Sequence, residues 1–306
     1  MPTTSVPGVA PRAGASPYLL LTLAPFFWSC NWIVGRGLHE DVPPLAMTFY
    51  RWVFALAFLA PFAWPHVRRE WHVIRRSARV LVPLGMIGIG SHNALAYVGL
   101  NYTTATNGVI LNSFIPVMIV ALSFVFLRER LAAWQWLGVA VSLCGVLAIL
   151  SRGSLAALLA FRLNAGDLFI ILSMLLWSIY TIGLRWRPQE LSLLAFLFSI
   201  IVVGLATILP MYVAETLVSR PMTWSATNVA AIAAVALFSS VLAYIFWNRG
   251  VEQVGASVAG LFTHLMPVFG VILAWVFLGE RLERYHLAGI ALILTGISLT
   301  SRPRAR

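Results

Sequence analysis

Charged side chains are scarce in this sequence, and lysine does not occur at all. Only 10% of the 306 residues are charged, 60% are hydrophobic, and the mean hydropathy is +0.88. A soluble chain carries about 25% charged residues. The scarcity therefore excludes an ordinary soluble domain. It indicates helices that cross a bilayer, where the lipid offers the backbone no hydrogen-bond partner.

Reactive groups are few as well. The two cysteines, Cys30 and Cys144, lie in different apolar stretches and lack metal-ligand spacing. Walker A, HExxH, GxSxG and clustered-carboxylate patterns are all missing, so we expect no enzyme activity, no metal site and no cofactor. The sequence leaves open a mid-membrane Ser–His pairing, such as Ser91 with His264.

Apolar stretches of the length that crosses a membrane, about 20 helical residues, occur throughout the chain. Residues 1–16 are expected to form a disordered cytoplasmic N-terminus rather than a signal peptide, and residues 302–306 a cytoplasmic tail. We predict an all-α integral membrane protein with ten transmembrane helices, at residues 17–36, 43–64, 80–99, 104–127, 133–150, 166–184, 191–214, 227–248, 255–278 and 285–301.

The basic residues are all arginine and lie mainly at the ends of these stretches. The net charge of +11 therefore does not indicate a nucleic-acid partner. With both termini inside, fourteen arginines fall in cytoplasmic segments, six fall outside, and Arg51 falls within the second stretch. This bias predicts a multi-pass protein of the bacterial inner (plasma) membrane whose N- and C-termini are cytoplasmic.

The second half of the chain repeats the first. Trp28 and Ser29 recur 149 positions later as Trp177 and Ser178. At an offset of 151 positions, the residues Pro116, Leu127, Glu129, Arg130 and Leu131 return as Pro267, Leu278, Glu280, Arg281 and Leu282. We predict two repeats of five helices, at 17–151 and 163–301. Because five is odd, the second repeat enters the membrane from the opposite side, so the repeats are inverted and a solute site lies between them.

Two prolines occupy equivalent places in the fourth helix of each repeat. Pro116 and Pro267 lie near the middle of the predicted helices, where proline removes a backbone donor and kinks the helix. The freed carbonyl groups must then face protein or water. We predict that the two prolines are hinges of a rocking transporter.

These features resemble the drug/metabolite transporter superfamily of the EamA type, through the two repeats and through Pro followed by Glu-Arg-Leu at the end of the fourth helix in each. The chain is most similar to the aromatic amino-acid exporter branch typified by YddG. The resemblance implies a basket-like bundle with a central cavity lined by helices 1, 3, 4, 6, 8 and 9, and alternating access to it. Other members of the superfamily move nucleosides, polyamines, sugars and drugs.

Polar and aromatic side chains deep in the predicted helices mark the inward faces, because polar groups are costly against lipid. The sets combine flat aromatic surface with an amide or hydroxyl group, which suits a small amphipathic solute. The predicted substrate-binding residues are Trp28, Asn31, Trp32, His92, Asn93, Tyr97, Asn112, Trp177, Tyr180, Tyr244, Asn248 and His264.

Several alternatives remain open from the residues alone. No Asp or Glu lies in the middle of a stretch, so we expect facilitated diffusion or exchange, with proton coupling through His92 or His264 as the alternative. Arg51 is expected either to bind a substrate carboxylate or to snorkel and hold its helix in place. Export of aromatic amino acids is predicted, with nucleosides, drugs or other amino acids as the alternative. The expected partners are a small-molecule substrate and the bilayer, with a monomer sufficient for transport.

Overall fold

The computed structural model describes residues 15–38, 40–100, 102–103, 105–160, 162–278 and 281–301, and within these residues the regular structure is helical. The termini, where a disordered N-terminus and a tail are expected, lie largely outside the described residues. Three helices are uninterrupted in the first half and two in the second: α1 (Pro17–Gly37), α2 (Pro44–Arg69), α5 (Ala133–Leu150), α7 (Leu193–Val218) and α10 (Arg284–Thr300).

The remaining long helical stretches are built from consecutive segments. Short helices at Trp71–Arg76 and Leu155–Leu159 lie in connections. The segmented stretches are α3 (Ala78–Gly85, Met86–Ser91 and His92–Leu100), α4 (Ala105–Asn112 and Ile115–Leu127), α6 (Ala165–Gly183 and Leu184–Trp186), α8 (Ala226–Val235, Ala236–Leu242 and Ala243–Val254) and α9 (Ala256–Leu261, Phe262–His264 and Leu265–Leu278).

Eight of the described helices are long and apolar enough to cross a membrane, and α3 and α10 fall outside that set. The all-helical membrane fold is therefore as predicted, whereas the count of ten stays a prediction. The helix α2 continues to Arg69, beyond the predicted limit of 64. Its last turn carries His66, Arg68 and Arg69, and long basic side chains of this kind extend to the polar membrane surface.

The bundle has two ends. At one, which we call the N-terminal end, the Tyr18 hydroxyl donates to the backbone oxygen of Ser301 at 3.3 Å, and Arg185 pairs with Glu129. At the other, the far end, the Thr103 hydroxyl donates to Asp167 at 2.5 Å. Each long helix runs from one end to the other, so a position along a helix also gives a depth in the bundle.

Glycine allows α5 and α10 to cross in backbone contact. A Cβ atom on Gly145 would lie 2.6 Å from the backbone oxygen of Gly289, and one on Gly289 would lie 2.7 Å from that of Gly145. Gly138 and Gly296 face each other in the same way. At the 151-residue offset, Gly138 is equivalent to Gly289 and Gly145 is equivalent to Gly296. The contact of Gly145 with Gly289 is therefore equivalent to that of Gly296 with Gly138, with the two halves of the chain exchanged.

The same exchange holds elsewhere in the bundle. Gly99 of α3 packs against Ile170 of α6, and Gly250 of α8 packs against Leu21 of α1. At the repeat offsets of 151 and 149, these are equivalent pairs. Contacts across a two-fold axis occur in such pairs. Where two residues touch, their equivalents in the other half touch as well.

The amides at the start of α2 are bound by a carboxylate from the last turns of α7, and an amide at the start of α7 is bound by a carboxylate that follows α2. Glu215 near the end of α7 accepts from the amides of Leu45 and Ala46 at 3.1 and 2.9 Å. Glu70, which follows α2, accepts from the Ser192 amide at 2.7 Å. Burial alone raises the pKa of Glu70, but hydrogen bonds from Arg69 and Ser192 outweigh it and hold that pKa below its ordinary value. The hydrogen bonds of the Glu70 carboxylate therefore stabilise the fold at pH values above the ordinary pKa of a glutamate. This contribution is lost as the pH falls through the lowered pKa.

We expect Gly145→Ala to destabilise the fold by about 1–3 kcal/mol, because its methyl group must displace the α10 backbone. Thermal unfolding of the purified protein measures the change. Gly35→Ala is the matched control, since no other helix of the described residues comes within 4 Å of a Cβ at that position. Equal melting temperatures for the two variants would contradict the close crossing.

Candidate functional site

A cavity of about 480 Å³ lies inside the far half of the bundle. Its wall contains residues from α1 to α6 and from α8 and α9, so α2 and α5 add to the six helices that the resemblance implies. The polar and aromatic lining residues are Trp28, Ser29, Asn31, Arg51, His92, Asn93, Asn112, Ser113, Ser173, Trp177, Ser239, Tyr244, Thr263 and His264. The rest of the wall is aliphatic, with Met174, Met266 and Val271 among it.

Eight of the twelve predicted substrate-binding residues line this cavity, namely Trp28, Asn31, His92, Asn93, Asn112, Trp177, Tyr244 and His264. Tyr180 and Asn248 lie outside its wall and bind each other, the Tyr180 hydroxyl donating to Asn248 Oδ1 at 2.9 Å. The side chains of Trp32 and Tyr97 lie outside the described residues. The structure thus brings together residues from both halves of the chain.

Aromatic rings form the cavity wall nearest the N-terminal end. Trp28 and Trp177, the equivalent residues of the two halves, meet edge to face with ring centroids 5.3 Å apart. Tyr244 contacts both rings, at 6.2 and 5.7 Å, and the buried Trp247 lies 5.3 Å from Trp28. Such aromatic pairs contribute about 0.5–1.5 kcal/mol beyond their burial. Trp28, Trp177 and Tyr244 thus form one aromatic layer in the cavity wall.

Two wide helical turns hold these rings in place. The segments Met86–Ser91 of α3 and Ala236–Leu242 of α8 are π-helical and equivalent at the 151-residue offset. Such turns shift the regular backbone pairing and are frequent at functional sites. The Tyr244 hydroxyl donates to the oxygen of Gly88 at 2.9 Å, and the Trp28 indole donates to the oxygen of Ser239 at 3.1 Å. Gly88 and Ser239 are themselves equivalent residues.

The predicted hinges lie at helix breaks. The helix of α4 stops at Asn112 and restarts at Ile115, so Pro116 occupies the first turn of the second segment. Proline is well tolerated there, since the first amides of a helix have no partner within it. In α9 the tight turn Phe262–His264 precedes Pro267 in the same way. The prolines therefore begin new helical segments beside the cavity, and their role as hinges stays a prediction.

His264 links the two breaks. Its Nε2 lies 2.8 Å from the backbone oxygen of Ser113, the residue equivalent to His264 in the first half. Because a carbonyl oxygen only accepts, Nε2 carries the hydrogen and donates. Its Nδ1 lies 2.7 Å from the Ser142 hydroxyl, which donates to the neutral ring. Both ring nitrogens of His264 are thus occupied within the protein.

His92 has a looser environment. Its ring lies 5.1 Å from that of Trp177, and its Nδ1 is 3.4 Å from the Ser173 hydroxyl, which donates at 2.6 Å to the His92 backbone oxygen. Ser173 is a lining residue that the sequence reasoning missed. The sequence does contain an indication that Ser173 lines the cavity, because Ser173 and Trp177 are four residues apart and share a helix face.

Ion pairs lie at the N-terminal end, beside a second cavity of about 210 Å³. Arg185 donates to Glu129 at 3.2 Å, and Arg187 donates to Glu252 at 2.7 Å. The Ser257 hydroxyl also donates to Glu129, at 3.5 Å. These contacts join α4, α6, α8 and α9. The sequence places Glu129 and these arginines near the ends of predicted helices, and their pairing depends on the packing of four helices.

A family model matches this architecture twice along the chain. The model of the EamA-like transporter family matches residues 15–151 and again residues 164–302. The chain belongs to the EamA-like transporter family. It is a multi-pass membrane transporter.

Similar proteins are also described as transporters. The uncharacterized transporter YetK of Bacillus subtilis (strain 168) is 28% identical over 298 residues, which cover 96% of this chain and 89% of that protein. The uncharacterized transporter YyaM of the same strain is 29% identical over 232 residues, 74% of each chain.

A third relative has a named substrate. The S-adenosylmethionine/S-adenosylhomocysteine transporter of Chlamydia trachomatis serovar L2 is 25% identical over 289 residues, which cover 92% of this chain and 87% of that protein. One crystal structure matches the fold with a TM-score of 0.73 over 94% of this chain and 97% of the other, at 18% identity. At that identity the likeness concerns the fold.

We expect Tyr244→Phe to lower the free energy of unfolding by about 1–3 kcal/mol, because it leaves the Gly88 carbonyl without its buried donor. The readout is the melting temperature in detergent. Tyr102→Phe, at a side chain that is 67% exposed, serves as control and should melt as the parent does. A parent-like Tyr244→Phe would show that the wide turn does not depend on this bond.

Proposed function

We propose that this transporter exports small amphipathic solutes that carry a planar ring, and that aromatic amino acids are the first class to test. The observation that carries the proposal is the ring layer formed by Trp28, Trp177 and Tyr244 in the wall of a cavity of about 480 Å³. Ligand cavities for small molecules have volumes of about 300–1,000 Å³, so one such solute fits.

The wall matches an amphipathic solute in its chemistry. Beside the rings it offers the amide side chains of Asn31, Asn93 and Asn112, together with serine hydroxyls, against an otherwise aliphatic surface. Phenyl, indole and purine rings can all stack on this layer. The amides can then bind the polar part of the same solute.

We propose in addition that the chain forms two inverted repeats of five spans, with α3 and α10 completing the ten. The exchanged contacts of Gly145 with Gly289, and of Gly99 with Ile170 against Gly250 with Leu21, support a two-fold relation between the halves. From the arginine bias we infer that the N-terminal end faces the cytoplasm. The cavity then faces outward, and the protein is in an outward-facing state.

The contacts at the N-terminal end support alternating access. The ring layer and the pairs Arg185–Glu129 and Arg187–Glu252 separate the cavity from that end. Opening requires these pairs to part and α4 and α9 to move at their breaks, where Pro116 and Pro267 begin new segments. Rocking of one repeat against the other around a central site is the corresponding motion.

Transport without an obligatory ion is the mechanism that the polar groups favour. Among the described residues, the cavity wall contains no Asp or Glu, and His264 already uses both ring nitrogens. An uncoupled carrier has no intrinsic direction, so export follows the outward solute gradient. Proton coupling through His92 is the alternative, since that ring is less fully bonded.

A second substrate class is favoured by the comparison with the Chlamydia trachomatis relative, which is described as an S-adenosylmethionine/S-adenosylhomocysteine transporter. These compounds combine a purine ring with an amino-acid group, so they share the amphipathic character deduced from the cavity. Direct competition between S-adenosylhomocysteine and phenylalanine in a flux assay separates the two classes.

The test is efflux from liposomes that contain the purified protein and are preloaded with phenylalanine, tryptophan, alanine or S-adenosylhomocysteine, with and without a pH gradient. We expect saturable efflux of ring-bearing solutes, little efflux of alanine, and rates that do not depend on the pH gradient. Efflux of alanine as fast as that of phenylalanine would refute ring selection.

We expect Trp28→Leu and Trp177→Leu each to slow this efflux roughly threefold to tenfold, the effect of losing one ring contact of about 0.5–1.5 kcal/mol. Trp136→Leu is the control, because Trp136 lies on α5 outside the cavity wall and is 48% exposed. A Trp136→Leu carrier that slows as much as the other two would remove the ring layer from the pathway.

We expect Arg187→Gln to favour opening of the N-terminal end by a factor of up to about five, since partly exposed ion pairs contribute about 0–1 kcal/mol. The measurement uses a protein in which Cys30→Ser and Cys144→Ser remove the native thiols and Ala96→Cys adds one in the cavity wall. A membrane-impermeant thiol reagent is added at the far side, and the rate of labelling is recorded. Labelling should slow in Arg187→Gln.

The control for this experiment is Arg76→Gln, which removes the Arg76–Glu190 pair at the same end but outside the second cavity. It should label at the parent rate. A charge exchange, Arg187→Glu with Glu252→Arg, should restore the parent rate if the pair itself holds the end closed. Labelling that is unchanged in Arg187→Gln would argue against this gate.

A further inference from the structure

We propose that Arg51 binds a carboxylate of the transported solute, so that the substrates are ring-bearing carboxylic acids or amino acids rather than amines or neutral compounds. The inference rests on the proposed function, because it concerns the polar end of a solute whose ring lies on the aromatic layer. Arg51 forms no ion pair with an acidic residue among the described residues.

Arg51 is buried in the bundle and reaches the cavity. It lies two turns into α2, is only 5% exposed, and forms part of the cavity wall. A snorkelling arginine extends its guanidinium to the water or lipid headgroups at the membrane surface. Arg51 does not do so, and its head group remains among the helices.

The contacts of Arg51 hold it in place without neutralising it. Its guanidinium carbon lies 5.3 Å from the ring centroid of Trp52, and that ring meets Tyr244 edge to face at 5.0 Å. Its Nε is buried without a hydrogen-bond partner. Among the described residues, the four ion pairs all involve other arginines. Burying a charge without a partner is costly.

The acidic residues of the described chain lie outside the cavity wall. They lie at helix ends or in connections, where Glu215 and Glu70 bind helix amides and Asp167 accepts from Thr103. Arg187 offers a contrast, because its side chain is 12% exposed and it still binds both Glu252 and the Leu191 backbone oxygen. Arg51 differs in having neither kind of acceptor, and an acceptor that enters the cavity can supply one.

A second donor points to the same ligand. The Nδ2 atom of Asn93 is buried without a partner, and Asn93 lines the same cavity as Arg51. Both atoms are donors, so both call for an acceptor group. A carboxylate supplies two oxygens and one negative charge, which equals the single charge of the guanidinium. A phosphate carries nearly two negative charges and would leave the buried site with an excess.

The experiment compares two ligands that share a ring and a size but differ in charge: 3-phenylpropionate and 3-phenylpropanamide. Their binding to the purified full-length protein is measured by calorimetry. We expect the parent protein to bind the acid at least about tenfold more tightly than the amide, the effect of a hydrogen-bonded charge pair. Arg51→Gln should weaken acid binding by about the same factor and change amide binding little.

Two further variants make the result specific. Arg51→Lys keeps the charge but loses the planar fork, so it should retain an intermediate preference for the acid and also confirm that the site tolerates substitution. Arg68→Gln is the matched control on the same helix, because Arg68 also lies over a tryptophan, 5.9 Å from the Trp64 ring centroid, but outside the cavity wall. It should bind both ligands as the parent does.

The outcomes separate the two proposals. Equal binding of acid and amide by the parent, or an acid preference that survives in Arg51→Gln, would overturn the carboxylate assignment and leave ring-bearing solutes as substrates. No binding of either ligand by the parent would overturn the ring-based function and this inference with it.

Discussion

Backbone groups inside a membrane must be bonded within the protein or face water, and the cavity is built where this requirement is met by side chains. The wide turns of α3 and α8 leave carbonyl oxygens that receive the Tyr244 hydroxyl and the Trp28 indole. The break of α4 presents the Ser113 oxygen, which receives His264. The same side chains form the cavity wall. Interruption of the helices and construction of the site are therefore a single physical arrangement, repeated in both halves of the chain.

Charge is distributed according to the same cost of burial. Carboxylates remain at helix ends, where Glu70 and Glu215 bind free amides and Glu129 and Glu252 bind arginines. Among the described residues, the buried charged side chains are Arg51, Glu70 and Asp167. The two carboxylates lie at helix ends, and only Arg51 lines the cavity. In the part of the chain that the structure describes, the cavity wall therefore contains one charged side chain. The ion pairs at the N-terminal end are partly exposed, where such pairs contribute about 0–1 kcal/mol.

Membership of the EamA-like family shows that the chain is a transporter but does not by itself specify the solute. Relatives of similar length are described as transporters, and one is named for S-adenosylmethionine and S-adenosylhomocysteine. Aromatic amino acids and these compounds share a planar ring, and each carries a carboxylate. Family membership alone does not distinguish them, because related cavities differ in a few lining side chains.

The sequence by itself determined the membrane class, the helical fold, the repeat and eight of the cavity-lining residues, because hydrophobic length and deep polar side chains are local properties. Trp28 and Trp177 could be paired through the repeat alone. Tertiary structure decided what those residues do. In the packed bundle Tyr180 and Asn248 bind each other, and both ring nitrogens of His264 have partners. Pro116 lies at the start of a helical segment rather than in mid-helix, and Ser173 lines the cavity. Tertiary structure also decided that Arg51 faces the cavity rather than the membrane surface. Spacing along one helix gives a shared face, but the neighbour of that face depends on how separate helices pack, and no local pattern encodes that packing.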